Sequence, residues 1–344
     1  MNRKNIISLG VLLLLIVATA WVLFRGVDPV LVGQAIGNMS LWSIIISMAL
    51  ALFFVAAEGM MIWYLLHSVD GQAKLRACIR YSFIGFFFSG ITPSATGGQP
   101  AQLYCMSRDG RKLSDSTVVL MAVATIYKFV LVLMGIGIII FWRIPMRNYL
   151  GNYEYLYYLG LGLNIALVLI LVIIMVNPAW MLKVIMGMEG LLVRWKILKA
   201  SEERRVKIIG FVRGYEEAIQ FFICNKIKII AVIAFTILQR CSVFAITAVI
   251  YYGYYGQKEN FLEVMLLQAT IYIAVDMLPL PGSQGITELM YQNVFGQLFT
   301  GVALTASLCV TRSMNFYFPL VVSGCVVLLY YIRAKKIQPS HGCI

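Results

Sequence analysis

Apolar runs long enough to cross a lipid bilayer recur along almost the whole chain, and no other feature limits its possible folds as much. A helix needs about 20 apolar residues to traverse a hydrocarbon core of roughly 30 Å. Runs near 5–24, 41–66, 114–142, 154–176, 227–252 and 313–332 meet that requirement. Two further apolar regions, near 78–103 and 261–311, are interrupted by glycine and proline clusters. Of the 344 residues 61% are hydrophobic and 12% charged, where a soluble domain carries about a quarter charged residues. Little chain is left for a soluble catalytic domain. The expected fold is an all-α polytopic membrane bundle, organised as one transmembrane domain over 1–344. Its first half covers about 1–176, a polar segment follows at 177–226, and the second half covers about 227–335. The run at 5–24 follows Arg3 and Lys4 as in a signal peptide, but Trp21-Val-Leu-Phe-Arg25 is no small-residue cleavage site, so a retained first helix is expected.

Lysine and arginine outnumber aspartate and glutamate 28 to 15. In a soluble chain that excess would suggest nucleic acid; here it follows the positive-inside rule and attraction to anionic headgroups, and no nucleic-acid partner is expected. With both termini cytoplasmic, the inner side receives Arg3, Lys4, Lys74, Arg76, Arg80, Arg108, Arg111, Lys112, the cluster at 183–228, Arg333, Lys335 and Lys336. The outer side keeps Arg25, Arg143, Arg147 and Lys258. This assignment requires the 78–103 region to enter and leave on one side as a re-entrant hairpin, and 261–291 to enter from the opposite face. The segment at 194–228 reads as a cytoplasmic helical hairpin near the headgroups or as a solvated connector. Seven scattered cysteines without a CxxC pair and two histidines, His67 and His341, offer no metal-ligand spacing. No P-loop is present, so neither cofactor nor direct ATP use is expected.

Two stretches look alike. Thr92-Pro-Ser-Ala-Thr-Gly-Gly-Gln-Pro-Ala-Gln-Leu103 and Leu278-Pro-Leu-Pro-Gly-Ser-Gln-Gly-Ile-Thr-Glu-Leu289 each place a proline nine residues before Gln102 or Glu288, with a glycine-rich turn between. One such loop at each face is the signature of inverted-topology repeats with broken or re-entrant helices. Non-helical backbone at membrane depth is tolerated only where protein buries it or it lines a wet cavity. Helices starting after Gly98 and Gly285 would turn their positive ends toward an anionic group in that cavity.

Seven charged residues fall within apolar or broken-helix segments: Glu58, Lys128, Arg240, Glu263, Asp276, Glu288 and Arg312. Each costs about 2.5–3.5 kcal/mol at a helix centre on the insertion scale, so they are expected to face the bundle interior, to pair, or to line a polar path. The candidate headgroup-binding set is Gly97, Gly98, Gln99, Gln102, Arg240, Asp276, Gly282, Gln284, Gly285, Glu288 and Arg312. Glu58, Lys128 and Glu263 are candidate intramembrane partners. The sequence leaves open which acid meets which base.

Gly97-Gly-Gln-Pro-Ala-Gln-Leu103, Pro279-Leu-Pro-Gly-Ser-Gln-Gly-Ile-Thr-Glu288 and Thr311-Arg-Ser-Met-Asn-Phe-Tyr-Phe-Pro319 occur in that order. Together they resemble the lysylphosphatidylglycerol synthase transmembrane family, the flippase-like domain that also forms the membrane half of the multiple peptide resistance factor. The resemblance implies a bacterial plasma-membrane protein. In full-length relatives a cytoplasmic domain transfers lysine from lysyl-tRNA to phosphatidylglycerol, and the membrane half moves the product outward, which lowers attraction for cationic peptides. Two departures stand out. The chain ends at Ile344 shortly after its last apolar run, so the transferase domain is expected to be absent; and Tyr127-Lys128 stands where the family often has a Glu-Arg pair.

The leading expectation is a lipid flippase or lipid-handling transporter. A headgroup phosphate would meet Arg240, Arg312 and the helix starts, while Glu288 and Asp276 would favour a cationic moiety such as a lysyl amine. The alternatives are a phosphatidylglycerol lysyltransferase, as the family name implies, and a membrane partner subunit of a separately encoded synthase.

Overall fold

The computed structural model describes residues 29–92, 95–194, 202–256, 260–278 and 285–337, and all regular structure among them is helical. The run at 5–24 lies outside the described residues. Five long apolar stretches remain as candidate spans: Leu41–Asp70, Leu113–Phe141, Arg143–Val176, Lys226–Tyr255 and Val302–Ile332. Each overlaps one of the other five expected runs. The last begins earlier than its hydropathy suggested, because a π-helical turn at Ser313–Tyr317 joins Val302–Arg312 to Phe318–Ile337. Arg312, just ahead of the expected run, therefore stands inside this span.

A short helix α1 (Pro29–Gly37) precedes α2 (Leu41–Asp70). Next come α3 (Leu75–Gly90), α4 (Gly98–Arg108) and α5 (Leu113–Phe141). The chain then forms α6 (Arg143–Leu150), α7 (Glu154–Val176), α8 (Pro178–Arg194) and α9 (Glu202–Cys224). The second half contains α10 (Lys226–Tyr255), α11 (Phe261–Val275), α12 (Ile286–Phe295), α13 (Val302–Arg312) and α14 (Phe318–Ile337).

Helices α2 and α10, 30 residues each, form the antiparallel spine. Lys228 Nζ reaches Ser68 Oγ at 2.7 Å near one end, and Ser40 N reaches the Gly253 carbonyl at 3.5 Å near the other. At about 1.5 Å per residue each helix is some 45 Å long, ample for the bilayer. Glycine lets neighbours approach closely: a Cβ on Gly59 would meet Ile79 Cα at 2.5 Å, and one on Gly160 would meet the Ile273 carbonyl oxygen at 2.4 Å. Small residues at such crossings are how helices pack in lipid, where tails are as apolar as side chains.

The broken regions are two helical hairpins. In the first, α3 and α4 run antiparallel: Gly85 lies against Gln102, Gly98 against Ser89, and Arg80 bonds Asp109 at 2.5 Å. Both its outer ends therefore lie at the end of the bundle that carries Asp70 and Lys228. With 16 residues α3 reaches about 24 Å, short of a full crossing. Its tip is held by Thr92, which donates to the Phe88 carbonyl (2.6 Å) and accepts from Gly97 N (2.9 Å). Ala95 sits there at φ 55°, left-handed backbone that side chains rarely adopt. The second hairpin, α11 and α12, returns to the opposite end: Gln297 Nε2 reaches the Tyr149 carbonyl at 3.4 Å and Thr300 N reaches Tyr255 Oη at 3.3 Å. The two hairpins thus enter from opposite ends, as the charge pattern required.

Lys74, Arg76, Arg80, Arg108, Arg111, Lys226 and Lys228 share the end onto which the first hairpin opens, while Arg143 and Arg147 flank the other. At the basic end α9 packs on α5, and Tyr215 Oη donates to the Met175 carbonyl at 3.4 Å. The described parts of the 177–226 segment, α8 and α9, are therefore a helical pair docked on the bundle.

Candidate functional site

A cavity of about 580 Å³ lies between the two hairpins and is lined by α2, α3, α4, α5, α7, α10, α11, α12, α13 and the π turn. It gathers residues spread over most of the sequence. Glu58, Gln99, Gln102, Lys128, Arg240, Asp276 and Arg312 all line it. The charges expected at membrane depth converge for the reason given by their cost: an ionised group in hydrocarbon needs a partner or a polar cavity.

Two ion pairs cross this space. Lys128 on α5 pairs with Asp276 at the end of α11, joining the first half to the second. Arg312 Nε meets Glu288 Oε1 at 2.6 Å, joining α13 to α12. Glu288 is 3% exposed, and its other oxygen accepts from Gly285 N at 2.6 Å. It is thus committed twice, to the start of its own helix and to Arg312. Glu58 on α2 forms no ion pair among the described residues; Gln102 Nε2 donates to its Oε1 at 2.7 Å.

Arg240 differs from the other cations. It is 0% exposed, yet no carboxylate forms an ion pair with it among the described residues. Its guanidinium carbon lies 3.7 Å from the Tyr127 ring centroid and 4.6 Å from that of Phe54. Its Nη atoms make only long bonds of 3.4 Å, to Tyr272 Oη and Gln239 Oε1, and its Nε has no acceptor. The Tyr127 and Tyr272 hydroxyls meet at 2.8 Å, and Gln239 Nε2 is spent on the Phe54 carbonyl at 2.8 Å. The aromatic faces offset part of the desolvation cost, but a buried donor without an acceptor remains.

The glycine-rich loops act differently from one another. Helix α4 starts at Gly98, which lines the cavity, while Gly97 lies behind it on Thr92. A Cβ on Gly98 would fall 2.0 Å from Ser89 Oγ and 2.8 Å from the Gly85 carbonyl oxygen, so glycine there lets the hairpin close. Helix α12 starts after Gly285 at φ 87°, but its first turn is occupied by Glu288. Gly282 and Gln284 lie outside the described residues. Glu263, in the first turn of α11, does not line the cavity and is separated by the length of that helix from Asp276.

Sequence reasoning missed Phe54, Tyr127 and Tyr272, the aromatic walls around Arg240. In a chain with 19 phenylalanines and 19 tyrosines nothing marks these three before the fold is known. Tyr127 alone carried a signal, as the residue replacing an acid beside Lys128.

The arrangement offers a desolvated cation beside polar groups in a cleft that joins both halves. The family model described as the lysylphosphatidylglycerol synthase TM region matches residues 5–323. No curated protein matches the chain.

Proposed function

Because the chain belongs to the lysylphosphatidylglycerol synthase transmembrane family, we propose that it handles phospholipid headgroups in the cavity between its two hairpins and moves them between leaflets. The observation that carries this reading is Arg240, a buried guanidinium in a cavity with no ion-pair partner and no acceptor for its Nε among the described residues. A phosphate oxygen is the acceptor such a group lacks, and guanidinium forks match phosphate geometry. Arg312 and Lys128, expected from sequence to share that task or support it, are already neutralised by Glu288 and Asp276.

Charge bookkeeping refines the substrate. Lys128, Arg240 and Arg312 face Glu58, Asp276 and Glu288, and two of the three pairs are closed. Arg240 and Glu58 remain as one cation and one anion for the ligand. That favours a headgroup carrying a phosphate and an amine, as a lysyl-phosphatidylglycerol does, with Glu58 and not Glu288 receiving the amine. In this reading the two hairpins are inverted repeats that rock about the cavity. The basic end is cytoplasmic in a bacterial plasma membrane, and outward movement of a cationic lipid lowers attraction for cationic peptides.

The test is a leaflet-resolved assay. Purified protein in liposomes receives labelled phosphatidylglycerol or its lysyl derivative, and outer-leaflet accessibility is followed with time. The wild type is expected to move lipid, and Arg240→Gln to slow it at least tenfold at equal reconstitution. Equal rates in the two proteins would overturn the assignment of the phosphate to Arg240.

A further inference from the structure

A second, smaller cavity of about 330 Å³ lies at the basic end of the bundle and shares no lining residue with the central one. It is enclosed by the end of α2, the turn into α3, the first turns of α3, and the α4–α5 connection. Lys74, Arg76, Arg80 and Arg111 line it, with Tyr81 and Asp109. Four cations around so small a space repel one another unless something anionic answers them.

Part of the answer is internal. Arg111 bonds Asp70 at 2.5 Å, and Arg80 bonds Asp109 at 2.5 Å. Asp109 also accepts from Tyr81 Oη at 2.6 Å and from Tyr330 Oη at 3.4 Å. Arg80 lies over the Tyr330 ring at 4.8 Å. These contacts fix the wall, tying the first hairpin to α14. They leave two charges over: the side chains of Lys74 and Arg76 make no hydrogen bond or ion pair among the described residues. Arg80 Nε is buried without an acceptor. The first turn of α3, which lines the same space, has no acidic residue and no side-chain cap.

We propose that this pocket is a phosphate-binding site, separate from the central cavity, that takes a phosphate monoanion or diester through Lys74, Arg76 and Arg80. The proposal does not rest on the function assigned to Arg240. The phosphate has two possible sources, an anionic phospholipid headgroup of the adjoining leaflet or a soluble phosphate-bearing molecule. The rigid wall orients the donors, and the two unpaired side chains supply the net charge that holds the ligand. A headgroup held here would wait beside the outer end of the first hairpin.

The experiment measures thermal unfolding of purified protein in a zwitterionic detergent during titration with short-chain phosphatidylglycerol, short-chain phosphatidylcholine or inorganic phosphate. All titrations are made in Arg240→Gln, so that the central cavity does not contribute through that residue, and repeated after adding Lys74→Gln and Arg76→Gln. Both added positions are exposed and their side chains bond nothing among the described residues, so the fold is expected to stand; a monodisperse elution profile checks it. A stabilisation by phosphatidylglycerol but not by the other two, with its half-saturating concentration raised at least tenfold by the added substitutions, establishes a lipid site. The same loss seen for inorganic phosphate establishes a soluble-phosphate site. Titrations unchanged by the added substitutions, or no stabilisation by either anion, leave a solvated basic rim and overturn the proposal.

Discussion

Removing a charge from this cavity has opposite expected effects on stability depending on whether its partner stays behind. Lys128 and Asp276 are a closed pair whose side chains are 16% and 10% exposed. Lys128→Met strands the carboxylate, and breaking a buried pair costs about 3–5 kcal/mol; the cavity-facing setting puts the expected loss at or below the lower figure. The double variant Lys128→Met/Asp276→Leu should regain most of it. Arg240→Met strands no ion-pair partner, removes an unsatisfied buried donor, and fills the aromatic box with an apolar side chain. Its unfolding temperature is therefore expected to match or exceed the wild type while headgroup transport falls. Thermal unfolding in detergent beside the leaflet assay checks all three. A large destabilisation by Arg240→Met would assign this residue to holding the fold, not the ligand. At this scale the sequence was legible as to which charges fall within apolar segments and mute as to pairing. Seven charges in apolar segments stand out because each is costly there, and six of them meet at or beside one cavity. Yet Lys128 finds Asp276 148 positions away, which depends on how two helices cross and not on local spacing. Glu263 looked the same in sequence and lies elsewhere.

Among the helices, the contacts that set the cavity are backbone approaches at glycine, and they divide glycines of similar sequence setting into two kinds. Gly160 on α7 presses on the Ile273 and Ala274 carbonyl oxygens of α11 at 2.4 and 2.6 Å from a would-be Cβ. Backbone cannot swing aside, so Gly160→Ala must push α7 from α11, at about 1–3 kcal/mol for overpacking. Gly137 on α5 has nothing within 4 Å of such a Cβ, and Gly137→Ala should stabilise by about 0.5–1 kcal/mol through helix propensity. Unfolding of the two single variants measures the contrast, and equal effects would mean that α7 and α11 are less tightly apposed than the geometry states. Hydropathy located the five spans that lie among the described residues, because length and apolarity fix them. The proline and glycine clusters marked where α3 gives way to α4 and α11 to α12. Hydropathy misplaced the start of the last span: 302–312 holds Thr305, Ser307 and Thr311, polar residues buried in the bundle, and their burial is a tertiary fact.

The whole molecule joins a hairpin from each end around a central cavity, and the reach of that cavity toward the two faces decides what the protein does. Ala124 on α5 lines it and carries no bond or charge that substitution would disturb. In a chain whose native cysteines are replaced by alanine, Ala124→Cys places one thiol there. A cavity that opens alternately should let a membrane-impermeant thiol reagent reach this cysteine both in right-side-out and in inverted vesicles. Arg240→Gln should leave labelling from both sides intact while stopping transport, since the residue is assigned to the headgroup and not to the opening. Labelling from one side alone would describe a vestibule that serves a single leaflet. The Lys128–Asp276 pair would then be a permanent weld between the halves, and the molecule would present a headgroup to another protein, as a partner subunit of a synthase does, instead of carrying it across.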